Sequence, residues 1–593
     1  MIHSVAIHQS LPFAASIGTD HTVALWRVNE DAGELEPLTS TSVRDVACSN
    51  DSGYVEAIAS HSVAIAFHES ERRLVTRSGN GGVLEASFTD DGKLQLLSCV
   101  RYHRDWDVQM VRYVAGSDEI LSAGRDGCVV MSHRGRELAR WQLFGEKVCH
   151  WIEHIDGSEY LIASDSGAVG RIDITNQVAP IVGERFARDD MEFVTFNKTS
   201  GRAFATSFDR GVYEINPKDC QSMGLRFSPG YKSIWAKTLE REPKILLVHS
   251  RNGAIYKADL ETGETISKLH RCPPTIWSVV VLPDNSLIGA GEGSVVFQAE
   301  PSTVDAVSRT LNYEIVQQAT PLCAEAYTKR IALDVAKNRL FLGRTDGKLW
   351  IYKPESKGRK GRCIEVYDAD SAIRDLAVTR DGSTLFLVTE DGRAVRLDTH
   401  KFEKRAEFQT RGKPFPLPLW ALAYNPDREL VAVADREASL NFLRAEDLQP
   451  IGNLPTKRVK RIKWFSSDTV FYSDQDNVWS FDLAHEELVC RTGQGLQNTI
   501  EDFIWDASSR YLLAISYQCV IGLFDLATGQ LLDQVRDRMD YPKGIAWLPA
   551  PDGGVYPWDF VTWGRSGDLH RYRLHEERIL SIGPLANVRP TGV

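Results

Sequence analysis

The stretch ALAYNPDRELVAVADREASLNFL, residues 421–443, contains the pattern that decides the fold of this chain. A short apolar strand is followed by a polar turn, a second apolar strand, a tight turn and a third strand. Short runs of Val, Leu, Ala and Ile bounded by turn residues are typical of half-buried or buried β-strands. The same order recurs in SVVVLPDNSLIGAGEGSVVF (278–297) and in DLAVTRDGSTLFLVTEDGRAVRLD (375–398).

The tight turn between the second and third strands measures the repeat. Asp-Gly and Asn-Gly pairs at several of these turns suit two-residue hairpins, because these residues tolerate a positive φ. Most successive turns are 39 to 48 residues apart, and two intervals are longer, at 60 and 54 residues. Such spacing matches a four-stranded propeller blade of about 40–45 residues. The turn marks thirteen units, at His21, Gly81, Gly127, Gly167, Gly211, Gly253, Gly293, Gly347, Gly392, Glu437, Asp476, Cys519 and Gly567.

Several strands end in an apolar residue followed by Trp or Phe, as in LWRV at Trp26, LWIY at Trp350, SFDL at Phe481 and LFDL at Phe524. With the inner strand ALAYNPD at Tyr424, these endings resemble the WD-repeat family of β-propellers. The resemblance covers nearly the whole chain, although the Gly-His dipeptide of the family does not occur. It implies an all-β fold. Because thirteen units exceed the four to eight blades of one ring, we expect two fused seven-bladed propellers built from 13–14 repeats.

The pattern is lost in residues 300–328, within the 54-residue interval. We therefore expect an N-terminal propeller over residues 1–310 and a C-terminal propeller over residues 311–593. A fourteenth blade is not evident. It is expected either from the two chain ends, with ILSIG at Ile579 as an edge strand, or from an insertion at residues 31–60.

Composition and charge are those of a soluble globular protein, with 43% hydrophobic and 25% charged residues. The net charge of −11 argues against bulk binding to nucleic acid. Residues 1–300 hold 30 basic and 40 acidic residues, so the first half carries most of the acidity and the second is near neutral. The ten cysteines form no CxxC pair, which is typical of free thiols in a reducing cytoplasm. The sequence has no apolar run of about 20 residues and no secretory signal. We therefore predict a cytoplasmic protein that does not enter membranes.

Catalytic motifs are missing from the sequence. His150 and His154 fall on a predicted strand, where residues four apart lie about 13 Å apart, too far for one metal. GNGG at residues 79–82 is interpreted as a hairpin turn, and Asp259 and Asp525 as polar turn residues rather than quinone ligands. We predict no enzyme activity, no metal and no cofactor. Six further carboxylates are interpreted as loop charges: Asp105, Asp107, Asp189, Asp190, Glu501 and Asp502.

The residue that precedes each inner strand tetrad is the informative position. The resemblance to WD-repeat proteins implies that it lies on the top face near the channel mouth, where partners dock. The aligned residues are His3, His61, Cys149, Glu192, Trp235 and Trp277 in the first half and Lys329, Arg374, Trp420, Lys460, Glu501 and Lys543 in the second.

Exposed Trp and Arg are the commonest anchors of protein interfaces. From the aligned set we therefore predict a partner-binding group, namely Lys329, Arg374, Trp420, Lys460, Lys543, Trp235 and Trp277. The alternative is that the tryptophans pack between neighbouring blades and that the basic residues are ordinary surface charges.

Two basic runs lie in the second half, KPESKGRKGR at residues 353–362 and TKRVKRIK ending at Lys463. Each is a solvated loop or part of a patch for an acidic protein, a phosphate-bearing ligand or a nucleic acid. We predict a non-enzymatic WD-repeat scaffold or adaptor that assembles a multi-protein complex through its propeller faces. The alternative function is recognition of nucleic acid or a phospho-ligand by the basic rim of the second propeller, and a third is an enzyme with its site in a propeller channel.

Overall fold

The structure is a computed structural model of the chain. It describes all residues except 1, 19–20, 30–33, 44–45, 51–63, 79–80, 104–107, 177–178, 231, 240–241, 251–253, 271–274, 283–285, 293–295, 306–309, 320–325, 354–361, 413–415, 436–438, 494–495, 497–498, 507, 518, 537–541, 549–557, 566 and 588–593. The described residues form β-strands, turns and loops and contain no α-helix. The expectation of an all-β fold is confirmed.

The chain divides into two units, Met1–Arg271 and Cys272–Val593. The strands of the first unit are β1 Ile2–Ile7, β2 Phe13–Gly18, β3 Thr22–Asn29, β4 Glu34–Ser42, β5 Ala66–Phe67, β6 Arg73–Arg77, β7 Val83–Phe88, β8 Leu94–Val100, β9 Val108–Tyr113, β10 Ile120–Gly124, β11 Cys128–His133, β12 Arg136–Gln142, β13 Cys149–His154, β14 Glu159–Ser164, β15 Val169–Asp173, β16 Ile181–Val182, β17 Met191–Asn197, β18 Arg202–Ser207, β19 Val212–Ile215, β20 Ser222–Phe227, β21 Ser233–Leu239, β22 Glu242–Ser250, β23 Ala254–Asp259 and β24 Thr265–His270.

The strands of the second unit are β25 Ile276–Val281, β26 Leu287–Gly291, β27 Val296–Asp305, β28 Thr310–Ala319, β29 Thr328–Asp334, β30 Arg339–Arg344, β31 Lys348–Lys353, β32 Arg362–Asp368, β33 Ile373–Val378, β34 Thr384–Thr389, β35 Arg393–Asp398, β36 Lys404–Gln409, β37 Leu419–Asn425, β38 Leu430–Asp435, β39 Ser439–Arg444, β40 Pro450–Pro455, β41 Ile462–Trp464, β42 Thr469–Asp474, β43 Asn477–Asp482, β44 Glu487–Cys490, β45 Ile500–Trp505, β46 Tyr511–Ser516, β47 Val520–Asp525, β48 Leu531–Arg536, β49 Pro542–Trp547, β50 Trp558–Gly564, β51 Asp568–His575 and β52 Arg578–Asn587.

Every four consecutive strands form one antiparallel sheet in chain order, which gives thirteen sheets over the described residues. Ten of the thirteen turn positions counted in the sequence are described, each between the second and third strands of a different sheet; Gly253, Gly293 and Glu437 lie outside the described residues. At Gly127 the turn requires glycine, because φ is 74° and an added Cβ atom would lie 2.1 Å from the carbonyl oxygen of Gly145. The repeat expected from the turn spacing is therefore a four-stranded sheet.

The second strand of each sheet carries most of the core. Every described residue of β2, β30, β38 and β46 is buried, whereas the outer strand β40 is mostly exposed. A strand buried on both faces needs apolar residues throughout, which explains the continuous Val, Leu, Ala and Ile runs of these segments. Each sheet therefore buries its faces against its neighbours.

The seven sheets of the second unit close on themselves. Successive sheets contact through their inner strands, as β29 does with β33 and β33 with β37. The first inner strand, β25, also contacts β49 and β50 of the last sheet. Val279 and Phe297 of the first sheet share one apolar cluster with Val561 and Trp563 of the last. This closure gives the second unit a propeller-like arrangement.

Two details of the expected domain layout differ from the structure. The boundary expected at residue 310 falls inside a sheet, because β27 pairs with β28 across it. The chain divides earlier, after Arg271, so Trp277 belongs to the second unit.

Ile579 lies in β52 and pairs with Leu574 of the last sheet, so it adds no separate blade. Six sheets occur in the described part of the first unit; of the insertion at residues 31–60, Glu34–Ser42 forms β4 of the first sheet, and half of its residues lie outside the described ones.

Candidate docking site at the mouth of the second unit

A β-bulge positions the first side chains of nearly all inner strands. In β25 the pairing passes from Ile276 to Ser278 while the partner strand advances by one residue, so Trp277 is the extra residue. A bulge re-aims the side chain of the extra residue away from the regular alternation of the strand. The bulged residues of the second unit are Trp277, Lys329, Arg374, Trp420, Glu501 and Lys543. These are the positions that the sequence alignment selected.

The lysines of this set lie on aromatic faces. The Nζ atom of Lys329 is 3.2 Å from the centre of the Trp277 ring, and that of Lys460 is 3.4 Å from the Trp420 ring. Lys543 lies between two rings, with its Nζ atom 5.0 Å from Trp277 and 4.7 Å from Tyr517. Side chains from separate sheets therefore meet at one place. We call Trp277, Lys329, Trp420, Lys460, Glu501 and Lys543, together with Tyr517 and Glu292, the mouth cluster, and we include Arg374 and its partner Glu390 because Arg374 is the bulged residue of its own inner strand.

Glu501 is the carboxylate that the three lysines share. Its Oε1 atom lies 3.6 Å from the Nζ atom of Lys543, and both side chains are buried. Burial acts to raise the pKa of Glu501, but the positive charges of Lys543, Lys460 and Lys329 outweigh it and hold this pKa well below its ordinary value. Glu501 is therefore ionised at neutral pH. Its interpretation as a loop charge is wrong, because ring closure carries the start of β45 into the interior.

Two further carboxylates belong to the mouth cluster. Glu390 forms a buried ion pair with Arg374. Glu292 accepts hydrogen bonds from the indole Nε1 of Trp277 at 3.2 Å and from the backbone N–H of Thr275 at 3.1 Å. Glu292, Glu390 and Tyr517 were not selected from the sequence, although each directly follows the second strand of its sheet. Their equivalent position in the repeat was a signal that could have identified them.

The tryptophans are not exposed anchors. Trp277 retains 3% and Trp420 9% of its accessible surface, and Arg374 and Lys543 are also buried. The Trp277 ring also stacks on Tyr327 of the neighbouring sheet, with centres 5.4 Å apart. This is the alternative arrangement, in which tryptophans pack between neighbouring sheets. Lys329 and Lys460 keep partial exposure, so solvent reaches the cluster along these two side chains.

A second layer of charges lies next to the mouth cluster: Arg330, Asp375, Arg461 and Asp502 each directly follow a cluster residue in the chain, and Lys463 lies in β41. Arg330 pairs with Asp375 at 3.1 Å, and Asp502 pairs with Arg461 at 3.1 Å and Lys463 at 2.9 Å. Burial acts to raise the pKa of Asp502, but the neighbouring cations lower it overall. Asp502 is thus a buried ion-pair partner rather than a loop charge. We call Arg330, Asp375, Arg461, Lys463 and Asp502 the second layer.

The two basic runs have different positions. In TKRVKRIK, Lys457 is exposed, whereas Lys460 belongs to the mouth cluster and Arg461 and Lys463 belong to the second layer. This run is therefore not simply a solvated loop. Most of the other run, residues 354–361, lies outside the described residues.

Trp235 is not part of this cluster and lies in the first unit. In β21 the extra residue is Ile234, so the alignment that selected Trp235 was one residue out. The half-buried Trp235 ring lies 5.8 Å from Phe193, which in turn lies 4.2 Å from Trp151. Trp235 therefore ends a row of aromatic rings on successive inner strands.

Of the other described first-unit positions that the alignment selected, two are the extra residues of bulges and one is not. The extra residue of β13 is His150 rather than Cys149, whereas His3 and Glu192 are the extra residues of their strands. His61 lies outside the described residues.

The remaining candidate residues occupy structural positions. His150 contacts Asp165 at 2.5 Å, and the ring of His154 contacts the carbonyl oxygen of Gly157 at 3.0 Å. Asp525 accepts hydrogen bonds from the backbone N–H and the hydroxyl of Thr528, and these bonds lower its pKa. Such bonds are those of a polar turn.

Of the other charged residues predicted to lie in turns or loops, the structure describes Asp259, Asp189 and Asp190. Asp259 accepts the backbone N–H groups of Glu261 and Thr262, as expected of a turn residue. Asp189 is not a loop charge, because it is buried and pairs with Lys232 at 3.0 Å. Asp190 is buried as well. Asp105 and Asp107, and residues 79–80 of the GNGG turn, lie outside the described residues.

A buried Ser–His–Asp chain was missed by the sequence reasoning. His103 contacts Asp126 through Nδ1 at 2.9 Å and Ser122 through Nε2 at 3.0 Å. The order matches that of a catalytic triad. Because Ser122 has no exposed surface and His103 retains 2%, a substrate has no access to this hydroxyl. The Ser–His–Asp chain therefore satisfies the hydrogen-bonding groups of three side chains: His103 after β8, Ser122 in β10 and Asp126 in the β10–β11 turn.

Among the described residues, no group of three or more His, Cys, Asp or Glu side chains is arranged to hold a metal ion. Within the same part of the chain, no helix is long and apolar enough to cross a bilayer.

The repeated sheets and the closed second unit define an all-β, propeller-like repeat protein. No family model matches the chain, and the comparison with curated proteins finds no match. Any assignment of function therefore depends on the mouth cluster itself.

Proposed function

We propose that the protein is a non-enzymatic, cytoplasmic scaffold of the WD-repeat type that binds other proteins, and that it docks an acidic segment of a partner at the mouth cluster. The observation that carries this proposal is the convergence of Lys329, Lys460 and Lys543 around the carboxylate of Glu501. Lys329 and Lys543 lie on strands and Lys460 lies just before β41, so little ordering entropy is lost on binding. The same positions were predicted to bind partners from the sequence.

The burial of the cluster narrows the kind of partner. Trp277, Trp420, Arg374 and Lys543 are too buried to meet a flat protein surface. A segment that inserts a side chain between the half-exposed Lys329 and Lys460 would reach them. Nucleic acid is a weaker candidate, because its recognition favours an extended basic face and aromatic rings open to bases. Here ammonium groups already cover the faces of Trp277 and Trp420.

Affinity purification from native extract with quantitative mass spectrometry tests the proposal. The baits are the wild-type chain, the mouth variant Lys329→Gln/Lys460→Gln, and the control Lys401→Gln/Lys457→Gln, which changes two exposed lysines. Arg374 is left intact because its loss would leave Glu390 buried without its ion-pair partner. We expect a set of proteins that wild type and control retain and the mouth variant loses.

Two results would contradict the proposal. Partners retained equally by the mouth variant would place docking elsewhere on the chain. Recovery of no partner, together with turnover of a small substrate by the purified protein, would contradict the scaffold class.

A further inference from the structure

Two cysteines of the first unit, far apart in the sequence, bring their sulfur atoms together. The Sγ atoms of Cys48 and Cys99 lie 3.6 Å apart, at hydrogen-bond distance, and both side chains are buried. Gly82 leaves room for them, because a Cβ atom at that position would lie 2.5 Å from one sulfur and 2.9 Å from the other. The two thiols therefore meet in direct contact, within the apolar cluster that joins the first and second sheets.

The backbones that carry these cysteines run side by side. The backbone N–H of Ser49 donates to the carbonyl oxygen of Cys99 at 2.9 Å. The side chain of Asn50 accepts from the backbone N–H of Arg101 at 3.0 Å and donates to its carbonyl oxygen at 2.7 Å. Backbone segments that are hydrogen-bonded side by side lie about 5 Å apart, within the Cα separation of about 4.4–6.8 Å that a disulfide spans. For an S–S bond of about 2.05 Å, the sulfur atoms need to approach by roughly 1.5 Å, which a small rotation of the side chains supplies.

The burial of the pair limits how fast it reacts. The hydrogen bond with Cys48, together with burial, raises the pKa of the Cys99 thiol well above its ordinary value, so the thiolate that attacks an oxidant is scarce in the closed structure. Ser49 and Asn50 are exposed, however, and the described residues from Val46 to Asn50 belong to no strand. Opening of so short a surface segment costs less than global unfolding and brings Cys48 to solvent. The pair is therefore protected from rapid oxidation but within reach of a small oxidant.

We propose that Cys48 and Cys99 form an oxidation site, which a peroxide converts to a disulfide and a low-molecular-weight thiol converts back. When the segment opens, the Cys48 thiol loses its proton and its sulfur attacks one peroxide oxygen; the O–O bond breaks, a sulfenic acid forms, and the hydroxide released takes up the proton as water. The Cys99 sulfur then attacks the sulfenic sulfur, so that the S–S bond forms, the S–O bond breaks and a second water leaves. In total, two thiols and one hydrogen peroxide give one disulfide and two waters. Two molecules of a thiol such as glutathione reverse the reaction by exchange and leave as their own disulfide.

The disulfide would fasten a surface segment to the sheet beneath it. It would join residues 46–50, which lie between the first and second sheets in the chain, to β8, the outer strand of the second sheet. The cross-link closes a loop over residues 49–98, and disulfides that close long loops restrict the unfolded chain most. In a reducing compartment the pair stays as thiols, so the link forms only when an oxidant is present. The first unit would thus carry a reversible cross-link that depends on oxidant.

Peptide mass spectrometry of the full-length protein tests the proposal without any variant. The folded protein is treated with hydrogen peroxide, the remaining thiols are blocked, and the protein is digested with trypsin in the absence of reductant. Residues 45–72 and 94–101 are the tryptic peptides concerned, and each contains one cysteine. We expect the two peptides to appear joined, with two hydrogen atoms fewer than their sum, and to separate after addition of dithiothreitol.

Two properties of the oxidised protein measure the effect of the link. Hydrogen exchange of the Ser49 amide should slow, because the disulfide holds its segment against the Cys99 carbonyl oxygen. The melting temperature should rise by about 5 °C or more. Cys48→Ser and Cys99→Ser should each abolish this rise, whereas Cys490→Ser, which changes a half-buried cysteine elsewhere, should melt as wild type does before and after oxidation. Circular dichroism of the reduced proteins shows that each variant is folded.

Four outcomes would overturn the proposal. If peroxide gives no linked peptide, the two cysteines are inert packing. If the link forms only in urea, the folded structure does not position the pair. If Cys48 is found joined to a cysteine other than Cys99, the contact of the two sulfurs does not direct the reaction. If the link forms but leaves amide exchange and melting unchanged, it does not fasten the segment. None of these measurements involves a partner, so their failure leaves the proposed docking function untouched.

Discussion

Lys329 and Trp277 form the closest cation–aromatic contact of the mouth cluster, with the Nζ atom 3.2 Å from the centre of the indole ring. The two residues lie on the first strands of neighbouring sheets, β25 and β29. Trp277 is buried, so the ammonium interacts with the ring in a partly desolvated setting where such contacts are stronger than at the surface. The contact therefore links two sheets as well as shaping the site.

A double-mutant cycle with Trp277→Leu and Lys329→Met should give a coupling energy of about 0.5–2 kcal/mol. The measurement is urea unfolding of the four proteins, followed by tryptophan-independent far-ultraviolet circular dichroism. The pair of the exposed Lys268 and the buried Tyr256, with the Nζ atom 5.2 Å from the ring centre, is the control and should show coupling at or below the lower end of this range. Additive effects of the two changes at the mouth would contradict a direct interaction.

Replacement of Glu501 by Gln should destabilise the protein by about 3–5 kcal/mol at neutral pH, because it removes the carboxylate that pairs with the buried Lys543. The measurement is chemical unfolding at pH 7. Glu365→Gln is the matched control, since Glu365 pairs with Lys348 at an exposed site and should have little effect. Equal stability of Glu501→Gln and wild type would contradict a stabilising ion pair between Glu501 and Lys543.

The loss of stability caused by Glu501→Gln should depend on pH. The folded state holds the pKa of Glu501 below its ordinary value, so its contribution is complete above the unfolded pKa of about 4.3 and is lost as the pH falls below it. The stability difference between wild type and Glu501→Gln should therefore shrink as the pH is lowered from 5 toward 3. A stability difference that grew as the pH was lowered would contradict a lowered pKa of Glu501 in the folded state.

Gly82→Ala should destabilise the first unit. The added Cβ atom would lie 2.5 Å from the Sγ atom of Cys48 and 2.9 Å from that of Cys99, both buried. Relief of such overlap in a packed core costs about 1–3 kcal/mol. Gly452→Ala is the control, because its nearest neighbour would be 4.0 Å away on an outer strand. Thermal unfolding measures both, and equal melting temperatures would contradict the close packing at Gly82.

Ser122 should be structural and unreactive. A fluorophosphonate probe is expected to leave the intact mass of the protein unchanged, because the hydroxyl is buried. Ser122→Ala should cost about 1–3 kcal/mol of stability, since it removes the partner of the buried His103 ring. The exposed Ser200→Ala should change stability little. Covalent labelling of Ser122 would revive the enzyme alternative.

Trp563→Ala should destabilise the second unit by about 3–5 kcal/mol. Trp563 is 4% exposed and lies in the apolar cluster that joins the last sheet to the first. Leu580→Ala is the control, because Leu580 on the outer strand β52 is 44% exposed. Urea unfolding of the full chain measures both. A loss no larger for Trp563 than for Leu580 would contradict closure of the ring through this cluster.

The candidate site was partly predictable from the repeat. Lys329, Arg374 and Lys543 were selected because an equivalent position recurs at the start of each inner strand, and the bulges confirm that position. Trp235 was misplaced by one residue, because a bulge adds a residue without leaving a local signature in the sequence. Tyr517 was missed because its role depends on Lys460 and Lys543 of neighbouring sheets.

The sequence by itself determined the strands, the turns and the period of the sheets, because apolar runs and positive-φ turn residues act over a few neighbouring positions. Only the tertiary structure decided which charges are buried and which side chains meet. Trp277 and Lys543 stand at opposite ends of the second unit in the chain, and they lie 5.0 Å apart because its last sheet closes onto its first. Burial and charge pairing depend on that closure, which no local pattern encodes.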